Sequence, residues 1–395
     1  MSNKSSFPLL LSNMFLAMLG MGLIIPVLPE FLHELGAGGQ AAGYLVSAFG
    51  VTQFIFSPIA GDISDKYGRK PMIIFGISLF ALSNLLAAIA SDLTLLFVSR
   101  FIGGIGSAAL VPSIMAYLAD ITSEEERGKG MSWLGASMTS GFIIGPGVGG
   151  FLAEFGMRTP FYASACLGLL TMVCTIILLP ESLSSDLRLK RQQSKDKREN
   201  IFRQLALSFK SRYFILLLII FAMTFGLTHF EAIYPLFVVQ SYGFTTRDIA
   251  ILFTVCSLIA TFNQIVLTGW LTRKIGEKAI INYTLLFSAV TLILLLFSGN
   301  FYYVMTITML FFTFGNILRP TINTLLSKEA GEDQGLVAGM NNAYMSLGSI
   351  FGPIIAGILF DVHINLPYLF GALVLLGSVV VSIKGVKVKK DVTSS

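Results

Sequence analysis

Apolar runs of about twenty residues recur along this chain with few charges to interrupt them. A run of that length crosses a bilayer core as α-helix, because in lipid each backbone N–H and C=O must be satisfied inside its own segment. Such runs fall at roughly 7–32, 41–60, 71–91, 93–118, 131–155 and 159–180. After a polar break they resume at roughly 213–239, 248–271, 279–298, 301–327, 336–360 and 366–386. Twelve of them predict an all-α membrane protein. Charged residues agree, at 12% of the chain against about 25% in soluble domains. The run from Phe7 is too long for a signal-peptide core and lacks a small-residue cleavage site. Cys166, Cys174 and Cys256 lie in apolar runs without metal-ligand spacing, which argues against a disulfide framework or a zinc site.

Basic residues set the expected topology. With the N-terminus inside, 23 of the 27 Lys and Arg residues fall on cytoplasmic segments, as the positive-inside rule requires. Only Arg158 and Arg247 fall outside, and Arg100 and Arg319 lie within spans. The net charge of +5 is therefore a topology signal and not the mark of a nucleic-acid partner. Both termini are expected in the cytoplasm.

The polar stretch 181–212 divides the chain into a six-helix bundle over 1–180 and another over 213–395. It reads as a solvated connector, able to lie partly on anionic lipid. The two bundles are repeats. "GDISDKYGRK" from Gly61 returns as "GWLTRKIGEK" 208 residues on, and Pro112 returns as Pro320 at the same offset. "GFIIGPGVGGFLAEF" from Gly141 matches "GSIFGPIIAGILFDV" from Gly348, with Pro160 opposite Pro367. Two related halves of six spans imply a transporter with its binding site between them, near the midplane.

Three segments carry residues that such a chain would use. In "GDISDKYGRK", Gly61 and Gly68 suit a tight turn between spans. Asp65 is placed to accept from a helix N-terminus, and Lys66, Arg69 and Lys70 hold the loop at the surface. In "SRFIGGIGSAAL", Arg100 sits in an apolar run, at a cost of about 2.5–3.5 kcal/mol on insertion scales. It needs either a cavity and a partner or a path to the outer interface. In "GFIIGPGVGG", Gly141, Gly145, Gly149 and Gly150 let helices approach closely, and Pro146 removes one backbone hydrogen bond. That pattern would also serve as a packing seam.

These motifs resemble those of the major facilitator superfamily. The resemblance spans nearly the whole chain, and "GMGLIIPVLPEFL", "FGLTHFEAIYPLF" and "LRPTINTLLSKEAGEDQG" resemble its twelve-span multidrug/proton antiporters of Gram-positive bacteria. It implies that Asp65 latches the cytoplasmic gate, that Arg100 takes part in proton coupling, and that the glycine motif prevents leak in an antiporter. It also implies that Glu231 in span 7 binds protons and cationic drugs. Relatives often carry a second acid three residues before the arginine of Arg319-Pro320; here that position is Asn316. The second copy of the loop has Arg273 where the acid would be.

From its position, Glu231 lies about eight residues inside span 7, or ~12 Å at 1.5 Å per residue. Burial of a carboxylate disfavours its charged form, so a proton and a cation would compete for one negative charge, and that competition is coupling. A wetted helix mouth ended by Tyr234-Pro235 is the plainer alternative. His229, two residues away, points to another face and reads as a packing histidine sooner than a relay. Glu30 suits the outer interface or cavity recognition, and Glu154 and Asp361 occupy equivalent span ends. Tyr44, Gln53, Met138, Tyr234 and Asn341 could join phenylalanines in a cavity for flat aromatic cations.

The expectation is a proton-coupled multidrug efflux antiporter in the bacterial cell membrane. It would expel amphipathic, often cationic small molecules by alternating access, as a lipid-embedded monomer without a cofactor. No GxxxxGK[ST] loop is present, and no catalytic constellation suggests an enzyme. With Glu231 as the sole coupling acid, one proton would exchange for one monocation without net charge movement. A specific exporter, a proton symporter, and a sensor or scramblase without proton coupling are the alternatives.

Overall fold

The computed structural model describes residues 3–183, 208–209, 211, 213–330 and 334–385. Among these, the chain forms thirteen α-helices and no strand. They are α1 (Asn3–Ile24), α2 (Leu28–Glu34), α3 (Gly39–Tyr67), α4 (Arg69–Ala88), α5 (Leu93–Ile121), α6 (Glu124–Ala153) and α7 (Thr159–Leu178). The rest are α8 (Phe214–Tyr242), α9 (Thr246–Ile275), α10 (Glu277–Leu294), α11 (Phe301–Ala330), α12 (Gln334–Val362) and α13 (Leu366–Gly385). Twelve of them, all but α2, are long and apolar enough to cross a membrane. Large apolar side chains such as Ile265 and Phe262 are exposed, as lipid-facing residues would be.

Where spans nearly touch in sequence, the boundary is made by a cap. Asp92 accepts a hydrogen bond from the Leu95 amide at 2.8 Å, and Asn300 accepts from Tyr302 at 3.0 Å and Tyr303 at 3.2 Å. Each satisfies amides that a helix start leaves without partners.

Three expectations need correction. The run 7–32 is not one span. Pro26 cannot donate to the ladder, so α1 ends at Ile24 and Glu30 sits on the short helix α2. Gly61 makes no turn, because α3 runs through it to Tyr67. The turn falls on Gly68 alone, at φ 120°, a conformation that favours glycine. Tyr234-Pro235 does not end span 7 either, since α8 continues through Pro235 to Tyr242.

The chain divides into two compact units, Met1–Lys197 with Pro235–Thr254, and Arg198–Tyr234 with Val255–Ser395. In the first, Leu10, Met14, Ile77, Leu110, Ile114 and Tyr117 form a buried core. Most of the connector 181–212 lies outside the described residues.

Candidate functional site

In the second unit, α8 carries Glu231 about eleven residues before its end, ~16 Å at 1.5 Å per residue. The side chain is half-buried, and among the described residues none donates a hydrogen bond or ion pair to it. Its flanking residues Phe230 and Ala232 are buried. Phe230 stacks on Tyr234 with centroids 4.5 Å apart and meets Phe311 at 4.5 Å and Phe312 at 5.8 Å. Tyr234 is fully buried and its hydroxyl lies 2.7 Å from Thr308 Oγ1, so it presents no open face to a flat cation, contrary to expectation. Asn341 donates to Asn323 at 3.3 Å. Asn316 is half-buried and Arg319 exposed, and neither forms a hydrogen bond or ion pair with Glu231.

In the first unit, Arg100 is half-buried on α5 with no carboxylate partner among the described residues. Gln53 donates to Ser107 Oγ at 2.9 Å, Met138 packs against the core, and Tyr44 is exposed. Glu30 is exposed and accepts from Thr246 Oγ1 at 3.1 Å. It lines a pocket of about 570 Å³ together with His33, Glu154, Gln240 and Arg247. Glu30 and Glu154 thus share one recess, lined also by Pro26, Leu236 and Phe244, a proximity that their positions in the chain do not reveal.

The junction of α3 and α4 holds a charge network around a buried arginine. Arg69, expected at the surface, is 5% exposed. It pairs with Asp65 at 2.6 Å and Asp120 at 3.2 Å, and donates to Ser64 Oγ at 3.2 Å. Two acids on separate helices draw the guanidinium inward, because a buried cation needs its donors matched. The carboxylate at a helix N-terminus is Glu181, which accepts from the Arg69 amide at 2.8 Å and the Lys70 amide at 3.1 Å. Ser182 donates to Asp120 at 2.9 Å, and Tyr117 donates to the Pro180 carbonyl at 2.7 Å. The first residues of the polar connector are therefore docked on this loop, half-buried. The charge of Glu181 suits the helix dipole there.

The glycine motif of α6 packs along two faces. Gly141, Gly145 and Gly149 stand against Phe15, Leu19, Gly22 and Leu23 of α1, where a Cβ on Gly145 would fall 2.7 Å from the Gly22 Cα. Gly147 and Gly150 face Thr254 and Ala250 of α9. Pro146 lies within α6 and leaves the Phe142 carbonyl without its helical donor. A Cβ on Gly22 would come within 3.2 Å of that carbonyl. Side chains are excluded here so that backbones can meet.

The second unit repeats this seam, with Gly348 and Gly352 of α12 against Phe221, Phe225 and Thr228 of α8. His229 enters it, and both ring nitrogens lie near carbonyl oxygens: Nδ1 is 3.1 Å from Gly352 O and Nε2 is 2.7 Å from Pro367 O. Charge pairing also returns at the second copy of the loop, where Lys328 Nζ meets Glu277 Oε1 at 2.5 Å. Positions 277 and 328 correspond to Arg69 and Asp120 at the 208-residue offset, with the signs exchanged.

Known proteins share this sequence and fold. The chain is 42% identical over 373 residues to multidrug resistance protein 2 of Bacillus subtilis, covering 94% of this chain and 93% of that protein. It is 35% identical over 380 residues to the quinolone resistance protein NorA of Staphylococcus aureus, covering 96% of each. The solved structure of the nucleoside transporter NupG superimposes with a TM-score of 0.78 at 17% identity, over 95% of this chain and 98% of that one. The sequence profile of the Major Facilitator Superfamily matches residues 10–353 and 266–393. Twelve apolar spans, a repeated glycine seam and the Gly68 loop with its buried arginine are thus the features of a chain that belongs to the major facilitator superfamily.

Proposed function

We propose that this protein is a proton-coupled multidrug efflux antiporter, expelling amphipathic, often cationic small molecules by alternating access. One observation carries the reading: Glu231 lies deep in a membrane-spanning helix with no basic partner among the described residues. An ionisable group at such a depth is retained for use. A proton and a lipophilic cation are both able to neutralise it, and only one can do so at a time. The names of its multidrug- and quinolone-resistance relatives support the substrate class. The Lys and Arg distribution supports cytoplasmic termini. Asp65 and Arg69 would serve the cytoplasmic gate, and the glycines of α6 would keep the path sealed between states. Arg100, Arg319 and Glu30 remain secondary participants in this reading, and the protein works as a monomer.

A tenfold proton gradient supplies about 1.4 kcal/mol per proton, enough to concentrate a monocation tenfold by one-for-one exchange. The test uses proteoliposomes holding a fluorescent lipophilic cation under an imposed pH gradient. Exchange that follows the gradient across several unrelated cations supports the reading. Transport of one narrow substrate would indicate a specific exporter. Movement in the same direction as protons would indicate a symporter, and movement indifferent to protons a channel-like or sensor role.

A further inference from the structure

His229 was expected to be a packing histidine, and it is 2% exposed, with an oxygen acceptor beside each of its two ring nitrogens. A neutral imidazole has one N–H donor and one bare nitrogen acceptor. Here both nitrogens face acceptors, the Gly352 carbonyl of α12 and the Pro367 carbonyl of α13. Whichever tautomer is chosen, one nitrogen lone pair points at a carbonyl oxygen. Only the imidazolium, with two N–H donors, satisfies both contacts. The surrounding rings suit a cation as well. Phe225 stacks on the imidazole at 5.2 Å and Phe370 lies at 6.2 Å, within about the range of cation–π attraction. Gly371 stands beside the ring, where a Cβ would make an ordinary contact 3.5 Å from His229 Cδ2.

Withdrawing an imidazolium from water is costly, and two charge-assisted hydrogen bonds act against that cost. No charged side chain of the packed helices contacts the ring among the described residues. The titratable groups on those helices are Glu231, Tyr234 and Tyr242 on α8, Tyr344 and Asp361 on α12, and Tyr368 and Lys384 on α13. Glu231, two residues on, faces another side of α8.

We propose that His229 is a second proton-binding residue of this transporter, an imidazolium that ties α8 to both α12 and α13 and releases one of them when it gives up its proton. The proton leaves Nδ1 or Nε2, and the carbonyl it served then faces a bare nitrogen and is repelled. The place of His229 in the transport cycle rests on the antiporter reading; its charge state does not. With Glu231 and His229 each carrying a proton inward per monocation expelled, one net positive charge enters. An inside-negative potential then accelerates export. This reverses the expectation of charge-neutral exchange drawn from Asn316.

The chain has three histidines, and the other two, His33 and His363, are exposed, so His33→Gln with His363→Gln leaves His229 alone for nitrogen-15 NMR in nanodiscs. At pH 7.5, where a free imidazole is about nine-tenths neutral, both ring nitrogens should carry protons. A single N–H at that pH overturns the proposal, and does so without any transport measurement. In proteoliposomes at zero pH gradient, 100 mV of imposed potential should change monocation flux several-fold in wild type and leave it unchanged in His229→Gln. Voltage-independent flux in wild type that still follows a pH gradient also overturns it. Flux that follows neither gradient would instead defeat the antiporter reading, and the NMR result would still decide the charge state of His229.

Discussion

The same helix seam is built twice in this molecule, and the copies part where Gly22 of the first gives way to His229 of the second. In the first unit α1 meets α6 glycine on glycine, Gly22 against Gly145. In the second, α8 meets α12 through Gly352, and His229 stands where Gly22 does. Both seams exclude side chains from the contact itself, which fixes the backbones close together. The first seam therefore has nothing that can change with pH. The second has kept the glycine on one helix and placed an ionisable ring on the other, so one packing device has become a place where a proton can matter.

The loops on the same two units repeat the lesson with charge. Arg69 with Asp65 and Asp120 is answered by Glu277 and Lys328, signs exchanged. Burial differs more than sign does. Arg69 is 6% exposed at its side chain, while Lys328 is 57% exposed. An ion pair out of water holds its geometry at the cost of desolvation, and breaking one is expensive. Lys328 keeps its ammonium in water although Glu277 is 12% exposed, and a pair with one partner solvated is worth less.

Those contrasts can be broken in order of expected effect. Arg69→Ala leaves Asp65 and Asp120 facing each other's surroundings without their cation, and should cost about 3–5 kcal/mol, read as a large fall in thermal unfolding temperature in detergent. Gly145→Val drives a branched side chain into the α1 backbone and should cost ~3 kcal/mol, the upper end for overpacking, by the same measurement. Gly352→Ala meets one movable group, Thr228 Oγ1, but also the Phe225 carbonyl at 2.7 Å, and should cost ~1–3 kcal/mol. Lys328→Ala should cost below about 1 kcal/mol, and that small loss should vanish in high salt. Equal losses for Arg69→Ala and Lys328→Ala would erase the distinction between the two loops.

Much of the fold was legible because lipid forces a simple rule on sequence. Twelve runs of apolar residues gave twelve spans, and the glycine spacing of α6 gave a close helix contact at Gly141, Gly145 and Gly149. What stayed hidden depended on backbone groups or on partners far along the chain. Hydropathy passes smoothly over Pro26, so the end of α1 at Ile24 could not be read from it. Glu181 reads as the first charge of a polar connector, yet it accepts from two amides more than a hundred residues earlier. The sequence around His229 shows only its apolar neighbours, whereas its bonds go to carbonyls of α12 and α13, which any residue type supplies. Glu231 itself was recognisable, as an acid in an apolar span, but α8 ends at Tyr242 and not near 239, which places it eleven residues from the helix end.

The claim at the centre is that a cation and a proton compete for Glu231. Adding tetraphenylphosphonium to the purified protein in weakly buffered detergent solution, and following pH, tests it without a membrane gradient. Wild type should release protons as the cation binds, and Glu231→Gln should bind more weakly and release less than about half as many per bound cation. Equal proton release by both proteins, or tight binding with none, would contradict the account.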